Sequence, residues 1–395
     1  MLMLQYSFAR QPIFDDSLKL FAYEFLYRPI DEKESQAPSM TAEVISSSVL
    51  DLGLDKAADH HPAFINMSYQ DILSDSVEAL PKNKIILELL EDIKPDSRLI
   101  ERVTELTLKG YTFALDDFVY SAEWDPLIAL ASILKLDLTV SSFEDNHQLV
   151  KQLEGKELKF LAEKVETYEE FERYKNIGCE LFQGYFFCKP ESIQGRSLAA
   201  NTSAKMKLLA DINQKGISVD QLENTIQQDP NMVFTLVKYL NSAHFAFPRT
   251  ISSIKQAIVI LGLEGVKKWA SLLCLRSISS KPSELMKVSL ARAKLAESIA
   301  THKHLDDPNS YFLLGLLSTL DAILDTDMQD ILASISLSPH LTHALIDKQG
   351  EMGELLEKII QYEHQNLSPL SKHIDLTDIY LDACHWADEI TQSLG

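Results

Sequence analysis

Polar side chains recur along the first half of the chain, each at the end of a short apolar run. In chain order they are Glu24, Asn66, Glu88, Asp116, Asp117, Lys135, Glu163 and Gln183. If these side chains meet, the crowded carboxylates raise one another's pKa unless cations neutralise them. Oxygen ligands without His or Cys are typical of Mg²⁺, Mn²⁺ or Ca²⁺ sites, and paired carboxylates suit two metal ions that hydrolyse a phosphodiester. The pattern therefore predicts a metal-dependent centre.

Lys135 lies within an apolar run formed by Ile133, Leu134 and Leu136. A lysine buried there needs an anionic partner, because a buried charge without one is costly. Two interpretations remain open. The ammonium contacts a metal-bound water or a phosphate, or it forms a structural pair with an acidic side chain.

Short β-rich runs alternate with amphipathic helical stretches from about residue 4 to residue 190. We predict strands near residues 5–14, 20–27, 63–68, 84–88, 111–116, 133–137, 158–163 and 181–187. Ser97–Leu108 is predicted as a helix, and Thr167 with Glu170 forms a predicted capping box. This alternation indicates a parallel (β/α)₈-like barrel, whose active sites lie where the carboxyl ends of the strands meet. The polar residues would then share one mouth of the barrel.

The composition changes after Pro190, where residues 191–203 are small and polar. Beyond them, apolar residues three and four apart predict helices at 208–222, 230–240, 254–261, 266–278, 284–302 and 374–390. Asp229 followed by Pro230 is a strong helix start. We therefore predict two domains: an α/β domain over residues 1–196 and an all-α domain over residues 197–395.

The overall composition limits where the protein acts and what it binds. The chain has 395 residues, which suits two domains, and a formal net charge of −21, which argues against direct nucleic-acid binding. Its four cysteines form no CxxC pair, which is typical of reduced thiols. We find no leader peptide and no apolar run long enough to span a membrane, and we expect a cytoplasmic protein.

Seven ordered motifs resemble those of EAL domains, which hydrolyse cyclic-di-GMP in bacteria. The first motif combines Gln11-Pro12-Ile13 with Tyr23-Glu24-Phe25-Leu26-Tyr27-Arg28. The later ones follow in family order: Asn66-Met67-Ser68, Glu88-Leu89-Leu90-Glu91, Asp116-Asp117-Phe118, Lys135-Leu136-Asp137, Ala162-Glu163-Lys164-Val165-Glu166-Thr167 and Gln183-Gly184-Tyr185.

The resemblance implies a role for each matching residue. The ligands of Mg²⁺ or Mn²⁺ would be Glu24, Asn66, Glu88, Asp116 and Asp117. Lys135 would orient water, and Glu163 would be a further ligand or the general base. The residues that contact cyclic-di-GMP would be Arg28, Gln11 and Gln183.

The chain departs from the family pattern near these residues. In active EAL enzymes the acidic pair is followed by Phe-Gly-Thr-Gly, whereas this chain has Phe118-Val119-Tyr120-Ser121. A glycine adopts backbone angles that valine cannot adopt without strain, so we expect another loop conformation. Residues Phe25, Pro29 and Lys164 replace the family's Ala, Trp and Gly.

The second half resembles HDOD domains, which are related to HD phosphohydrolases. The matching segments are Asp229-Pro230, Leu240-Asn241-Ser242-Ala243, Ile251-Ser252-Ser253-Ile254, Ala257-Ile258-Val259 and Leu261-Gly262. An HD enzyme needs an adjacent His-Asp pair for its metals, and the sequence contains none. The resemblance therefore implies contacts with another protein and no second catalytic centre.

Both halves together resemble the bacterial YuxH-like group, which joins a diverged EAL domain to an HDOD domain. This implies a regulator in which the barrel binds metal and nucleotide, or a partner, and the HDOD domain relays the signal to an unknown signalling protein. The alternative is an active Mg²⁺- or Mn²⁺-dependent phosphodiesterase that produces linear pGpG. Because EAL domains commonly dimerise, the resemblance also implies a homodimer.

Overall fold

The computed structural model describes residues 6–29, 54–90, 93–116, 120–189, 200–241, 251, 253–279, 281–333, 337–364 and 376–394. The chain divides into two compact units, Met1–Phe187 and Cys188–Gly395. The predicted boundary between residues 196 and 197 lies outside the described residues and stays a prediction.

The first unit is a closed barrel in which each strand pairs with its neighbour in the chain. The strands are β1 (Tyr6–Asp15), β2 (Leu20–Pro29), β3 (Ala63–Met67), β4 (Ile85–Leu89), β5 (Thr112–Leu115), β6 (Ile133–Asp137), β7 (Lys159–Glu163) and β8 (Leu181–Gln183). Every predicted strand is confirmed. The last is shorter than predicted, because Gly184 has a φ of +147° and a 3₁₀ turn follows at Phe186–Cys188.

One strand runs against the predicted parallel direction. β1 pairs antiparallel with both β2 and β8, whereas β2 through β8 pair in parallel. The reason is the short connection between β1 and β2, since a parallel crossover needs a dozen or more residues. Asp15 Oδ1 closes this turn by accepting hydrogen bonds from the backbone N–H groups of Ser17 and Lys19, each at 2.9 Å.

The barrel interior contains a layer with one apolar side chain from each strand: Ile13, Ala22, Phe64, Ile86, Ala114, Ile133, Leu161 and Leu181. Successive side chains of a strand face opposite sides, so the residue two positions onward also faces the interior. From β2 to β8 these onward residues are Glu24, Asn66, Glu88, Asp116, Lys135, Glu163 and Gln183. In the antiparallel β1 the equivalent residue precedes the apolar one by two, which is Gln11. A polar layer therefore lies directly above the apolar layer.

Six α-helices accompany the strands in the described part of the first unit. They are α1 (Leu54–Ala57), α2 (Tyr69–Leu73), α3 (Ser97–Leu108), α4 (Asp125–Ile128), α5 (Phe143–Gln152) and α6 (Tyr168–Asn176). Asp96 caps the predicted helix α3 by accepting the backbone N–H of Leu99 at 2.8 Å. The predicted capping box of Thr167 and Glu170 is confirmed at the start of α6.

The described part of the second unit is entirely helical. Its helices are α7 (Ala200–Ile212), α8 (Val219–Gln227), α9 (Pro230–Leu240), α10 (Ile254–Ile278), α11 (Ser283–His302), α12 (Pro308–Leu317), α13 (Leu320–Leu324), α14 (Met328–Ala333), α15 (Pro339–Ile346), α16 (Gly350–Glu363) and α17 (Leu376–Leu394). None of the described helices has both the length and the apolarity needed to cross a membrane.

Local signals explain several helix boundaries in this unit. Asp229 caps α9 as predicted, because its Oδ1 accepts the backbone N–H groups of Asn231 and Met232 at 3.1 and 3.2 Å. The two helices predicted on either side of Gly262 are confirmed as two segments of α10, because the helix is interrupted at that glycine, which has a φ of +77° and a ψ of 166°. The single helix predicted at 208–222 is wrong: α7 ends at Ile212, and α8 starts afresh with Ser218 as its N-cap.

Candidate active site

The side-chain ammonium of Lys135 lies at the centre of the polar layer. Its Nζ is 2.6 Å from Glu88 Oε1, 2.7 Å from Asp116 Oδ1 and 2.7 Å from Glu163 Oε1. Glu24 Oε1 is further away, at 3.8 Å. Three strands, and the residue that directly follows a fourth, thus bring carboxylates to one lysine.

The cluster is shielded from water. Lys135 is 1% exposed and Glu88 is fully buried, while Glu24 and Glu163 are each 6% exposed. The side chain of Asp116 is 13% exposed and lies nearest to solvent. Charges in such a site interact strongly, because little water is present to screen them.

Three amide side chains extend the site. Gln183 donates through Nε2 to Glu24 Oε2 at 2.5 Å and to Gln11 Oε1 at 2.7 Å. Asn66 donates through Nδ2 to Glu24 Oε1 at 3.3 Å. These bonds fix the Glu24 carboxylate on both oxygens and leave the amide oxygens of Asn66 and Gln183 available for other partners.

Burial and charge shift the titration of the central groups. Burial raises the pKa of the Glu88 carboxyl well above its ordinary value; Lys135 opposes this shift, and Glu24 and Asp116 add to it. The pKa of Glu163 is raised for the same leading reason. For Lys135, burial alone would lower the pKa, but the surrounding carboxylates outweigh it and hold the pKa well above its usual range.

The donor set fits a hard divalent cation. The four carboxylates and the one ammonium carry a formal excess of three negative charges. Asn66 Oδ1, Glu88 Oε2 and Gln183 Oε1 are buried and accept no hydrogen bond within the described part of the chain. Oxygen atoms in an anionic pocket are the ligands that Mg²⁺ and Mn²⁺ prefer. Among the described residues, however, the acidic groups surround the ammonium, and no three of them converge on a separate ion position.

Most of the predicted site residues come together in this cluster. They are Gln11, Glu24, Asn66, Glu88, Asp116, Lys135, Glu163 and Gln183. Two are not described there: Asp117 lies outside the described residues, as does the side chain of Arg28, whose backbone belongs to β2. The roles assigned to all ten residues stay predictions.

Three neighbouring residues were not among the predicted site residues. Asp137 ends β6 with its side chain buried, and Lys164 of the next strand's loop donates to its Oδ2. Gly184 follows Gln183, and a Cβ at that position would lie 2.1 Å from the carbonyl oxygen of Val165. The sequence motifs could have pointed to Lys164 and Gly184. Lys164 departs from the family pattern, and Gly184 is a glycine directly after the site residue Gln183.

Comparison with known proteins places this chain in a family. The family model of the EAL domain matches residues 25–190, and that of the HDOD domain matches residues 198–369. The uncharacterized protein YuxH of Bacillus subtilis is 31% identical over 400 residues, which cover 97% of this chain and 98% of YuxH. The cyclic di-GMP phosphodiesterase CdgJ of Vibrio cholerae is 32% identical over 401 residues, which cover 97% of this chain and 93% of CdgJ. The chain belongs to the EAL–HDOD family of these two proteins.

Among solved structures, the barrel of the EAL domain is similar to a standalone EAL protein from Vibrio cholerae O395 in its c-di-GMP-bound form. The two are 24% identical with a TM-score of 0.38, over 48% of this chain and 94% of the other. The residues matched by the EAL family model contain the Lys135 cluster apart from Glu24, which directly precedes the first matched residue, and Gln11, which lies further toward the N-terminus.

Proposed function

We propose that the EAL domain of this protein hydrolyses cyclic-di-GMP to linear pGpG with Mg²⁺ or Mn²⁺ bound. The observation that carries the proposal is the position of Lys135 Nζ within 2.7 Å of carboxylate oxygens of Glu88, Asp116 and Glu163. The full-length similarity to CdgJ, whose name states this activity, supports it.

Glu24, Asn66, Glu88 and Asp116, with Asp117 from the sequence, would hold the metal. When bound, Mg²⁺ or Mn²⁺ would supply positive charge for the phosphodiester oxygens and acidify a water molecule. The orphaned oxygens of Asn66 and Glu88 support this assignment, because a buried acceptor without a partner is costly.

The chain's own residues would then carry the hydrolysis. Glu163 would accept the proton of the attacking water; burial raises the pKa of its carboxyl above the ordinary value, which makes the carboxylate a stronger base. Lys135 would orient that water and stabilise negative charge on the phosphate, since the surrounding carboxylates keep its ammonium protonated. Attack at phosphorus would break one phosphodiester bond of the ring, and the released ribose oxygen would take up a proton.

Substrate contacts are proposed for Gln11, Gln183 and Arg28. The Oε1 atom of Gln183 is buried at the mouth without a hydrogen bond among the described residues, so it could accept one from a bound nucleotide. Arg28 would contact a phosphate, as the family match implies. We also place the protein in the cytoplasm, where bacterial cyclic-di-GMP is made, and we retain the homodimer as a prediction.

A second function is favoured by one feature of the sequence. Val119 and Ser121 stand where active EAL enzymes have the two loop glycines. A barrel with an altered loop could bind cyclic-di-GMP without hydrolysing it, and the HDOD domain would relay the bound state to a signalling protein. In either case we propose that the HDOD domain provides protein contacts and not a second catalytic centre.

Incubation of the purified full-length chain with cyclic-di-GMP tests the proposal. Linear pGpG is followed by chromatography with Mg²⁺, Mn²⁺ or EDTA, and binding is titrated in parallel. We expect metal-dependent turnover that Glu163→Gln reduces at least about 100-fold. The matched control is Glu180→Gln, whose side chain is 57% exposed in the connection before β8. Binding without turnover in the wild type would refute the enzyme and favour the receptor, and the absence of both would refute both functions.

A further inference from the structure

Lys164 has an unusual backbone conformation beside the proposed general base. It follows Glu163 directly and has a φ of +56°, in the left-handed region that favours glycine. A side chain with a Cβ is strained there and persists only when surrounding contacts hold it. Some interaction of Lys164 must therefore stabilise this turn.

The side chain of Lys164 supplies that interaction. Its Nζ donates to Oδ2 of Asp137, which ends β6, whereas Lys164 directly follows the end of the neighbouring strand β7. The side chain of Lys164 is 55% exposed, but that of Asp137 is only 1% exposed. An ion pair between two exposed groups contributes little to stability. Removing the partner of a buried carboxylate, in contrast, destabilises the fold strongly, because the charge is then buried without compensation.

Asp137 is itself held in place. Its Oδ1 accepts the backbone N–H and the side-chain hydroxyl of Thr139, both at 2.6 Å. The hydrogen bonds from Lys164 and Thr139 outweigh the effect of burial and keep the pKa of Asp137 below its usual range. The carboxylate is thus a fixed anchor at the end of β6.

The backbone on either side of Lys164 is also tied to neighbouring strands. The carbonyl oxygen of Glu163 accepts the N–H of Leu138 at 3.3 Å, and the N–H of Val165 donates to the carbonyl oxygen of Gln183 at 3.0 Å. Lys164 is the residue between these two tethers. Its conformation therefore sets the direction in which the chain leaves Glu163, whose carboxylate reaches Lys135 at 2.7 Å.

We infer that Lys164 is a positioning residue for Glu163. By holding Asp137, it stabilises a left-handed turn and fixes the Glu163 carboxylate in the Lys135 cluster. This inference rests on the proposed function for its effect on catalysis. It assigns a compensating role to a lysine that stands where the family has glycine.

Four variants of the full-length chain test the inference. Lys164→Ala removes the ion pair but keeps a Cβ in the strained position, and Lys164→Arg keeps both the charge and the reach. Asp137→Asn removes the charge of the anchor. Lys159→Ala is the matched control, because Lys159 begins the same strand and forms an exposed pair with Glu180 at 3.9 Å.

We expect Lys164→Ala and Asp137→Asn to lower kcat about tenfold with little change in KM, because a misplaced group acts on the chemical step. Lys164→Arg should keep kcat within about twofold of the wild-type value. Lys159→Ala should match the wild type. A lower unfolding temperature with unchanged kcat in Lys164→Ala would overturn the inference, because it would show a purely structural role.

Hydrogen exchange separates this inference from the proposed function. In Lys164→Ala, peptides containing the amides of Leu138 and Val165 should exchange about tenfold faster, while those of α5 should not change. If no variant or wild type turns over cyclic-di-GMP, the proposed function fails, and faster exchange still supports the positioning role. Exchange equal to that of the wild type would overturn the inference whether or not the protein is active.

Discussion

Lys135 Nζ and Glu88 Oε1 lie 2.6 Å apart, and both side chains are buried in the mouth of the barrel. This pair is the centre of a cluster with more carboxylates than ammonium groups. Each carboxylate beyond the first needs a proton or another cation to offset its charge. We therefore expect the stability of the EAL domain to depend on Lys135, on bound metal and on pH together.

Replacing Lys135 should expose this dependence. In EDTA, Lys135→Ala leaves the carboxylates without their ammonium, and we expect the free energy of unfolding to fall by about 3–5 kcal/mol. Added Mn²⁺ should recover part of the loss, because a divalent cation replaces the missing charge. Equilibrium chemical unfolding measures both values, with Lys159→Ala as a control expected within about 0.5 kcal/mol of the wild type. A Lys135→Ala variant as stable as that control would contradict the central role of the lysine.

The raised pKa of Glu88 predicts a pH effect of defined sign. A carboxyl whose pKa is higher in the folded state than the ordinary value of about 4.3 stabilises the fold at low pH. That contribution is lost as pH rises through the raised folded pKa. In EDTA, Glu88→Gln should therefore gain stability relative to the wild type between about pH 5.5 and pH 8.

The same pair of proteins provides the control in the presence of metal. With saturating Mn²⁺ the relative gain of Glu88→Gln should disappear, because the wild-type carboxylate would then have a cation to bind. In EDTA, the unfolding midpoints of the wild type and Glu88→Gln are compared at about pH 5.5 and about pH 8. A difference of the same size at both pH values would disprove the assigned direction of the Glu88 pKa.

Gly184 should be intolerant of a side chain. A Cβ there would lie 2.1 Å from the carbonyl oxygen and 2.5 Å from the nitrogen of Val165, so the chain that follows Glu163 would have to move. We expect Gly184→Ala to lower kcat about 100-fold. The matched control is Gly155→Ala, which also has a positive φ of +85° but meets no atom within 4 Å. A loss of kcat in the control as large as in Gly184→Ala would show that backbone strain, and not the clash, is responsible.

The HDOD domain contains its own buried ion pair. Arg292 contacts Glu363 through Nε at 2.8 Å and through Nη2 at 2.7 Å, and both side chains are nearly buried. Arg292→Ala should destabilise this domain by about 3–5 kcal/mol and leave cyclic-di-GMP turnover by the barrel unchanged. The control is Lys294→Ala, a partly exposed lysine of the same helix that pairs with Glu297. Turnover that falls with HDOD unfolding would contradict independent roles for the two domains.

The sequence predicted the site residues of the barrel because residues two positions apart on a strand face the same side. A strand that buries Ile133 must also turn Lys135 inward, and the same spacing links Ile86 with Glu88. Capping residues predicted helix starts for a similar reason. The hydrogen bonds of Asp229 and Thr167 are local, so their sequence neighbours suffice.

Features that depend on distant parts of the chain were not predictable in this way. The ion pair of Lys164 with Asp137 exists because the register of β6 and β7 places Asp137 opposite Glu163. The antiparallel direction of β1 is a different case, because the short connection between the strands predicted at 5–14 and 20–27 was visible in the sequence and already excludes a parallel crossover. In the second unit, the helix predicted at 208–222 runs across residues 213–218, where Gly216 has a φ of +75° and the structure ends α7 at Ile212 and begins α8 at Val219.

Calorimetric titration of the EDTA-treated protein with Mn²⁺ is the sharpest test of the proposed metal centre. We expect binding at pH 7.5 that Glu88→Gln weakens at least about tenfold, because one buried carboxylate of the oxygen cluster is lost. Lys159→Ala should bind Mn²⁺ as the wild type does. Titrations that show no heat of binding, or the same affinity in Glu88→Gln as in the wild type, would contradict a metal centre built on these residues.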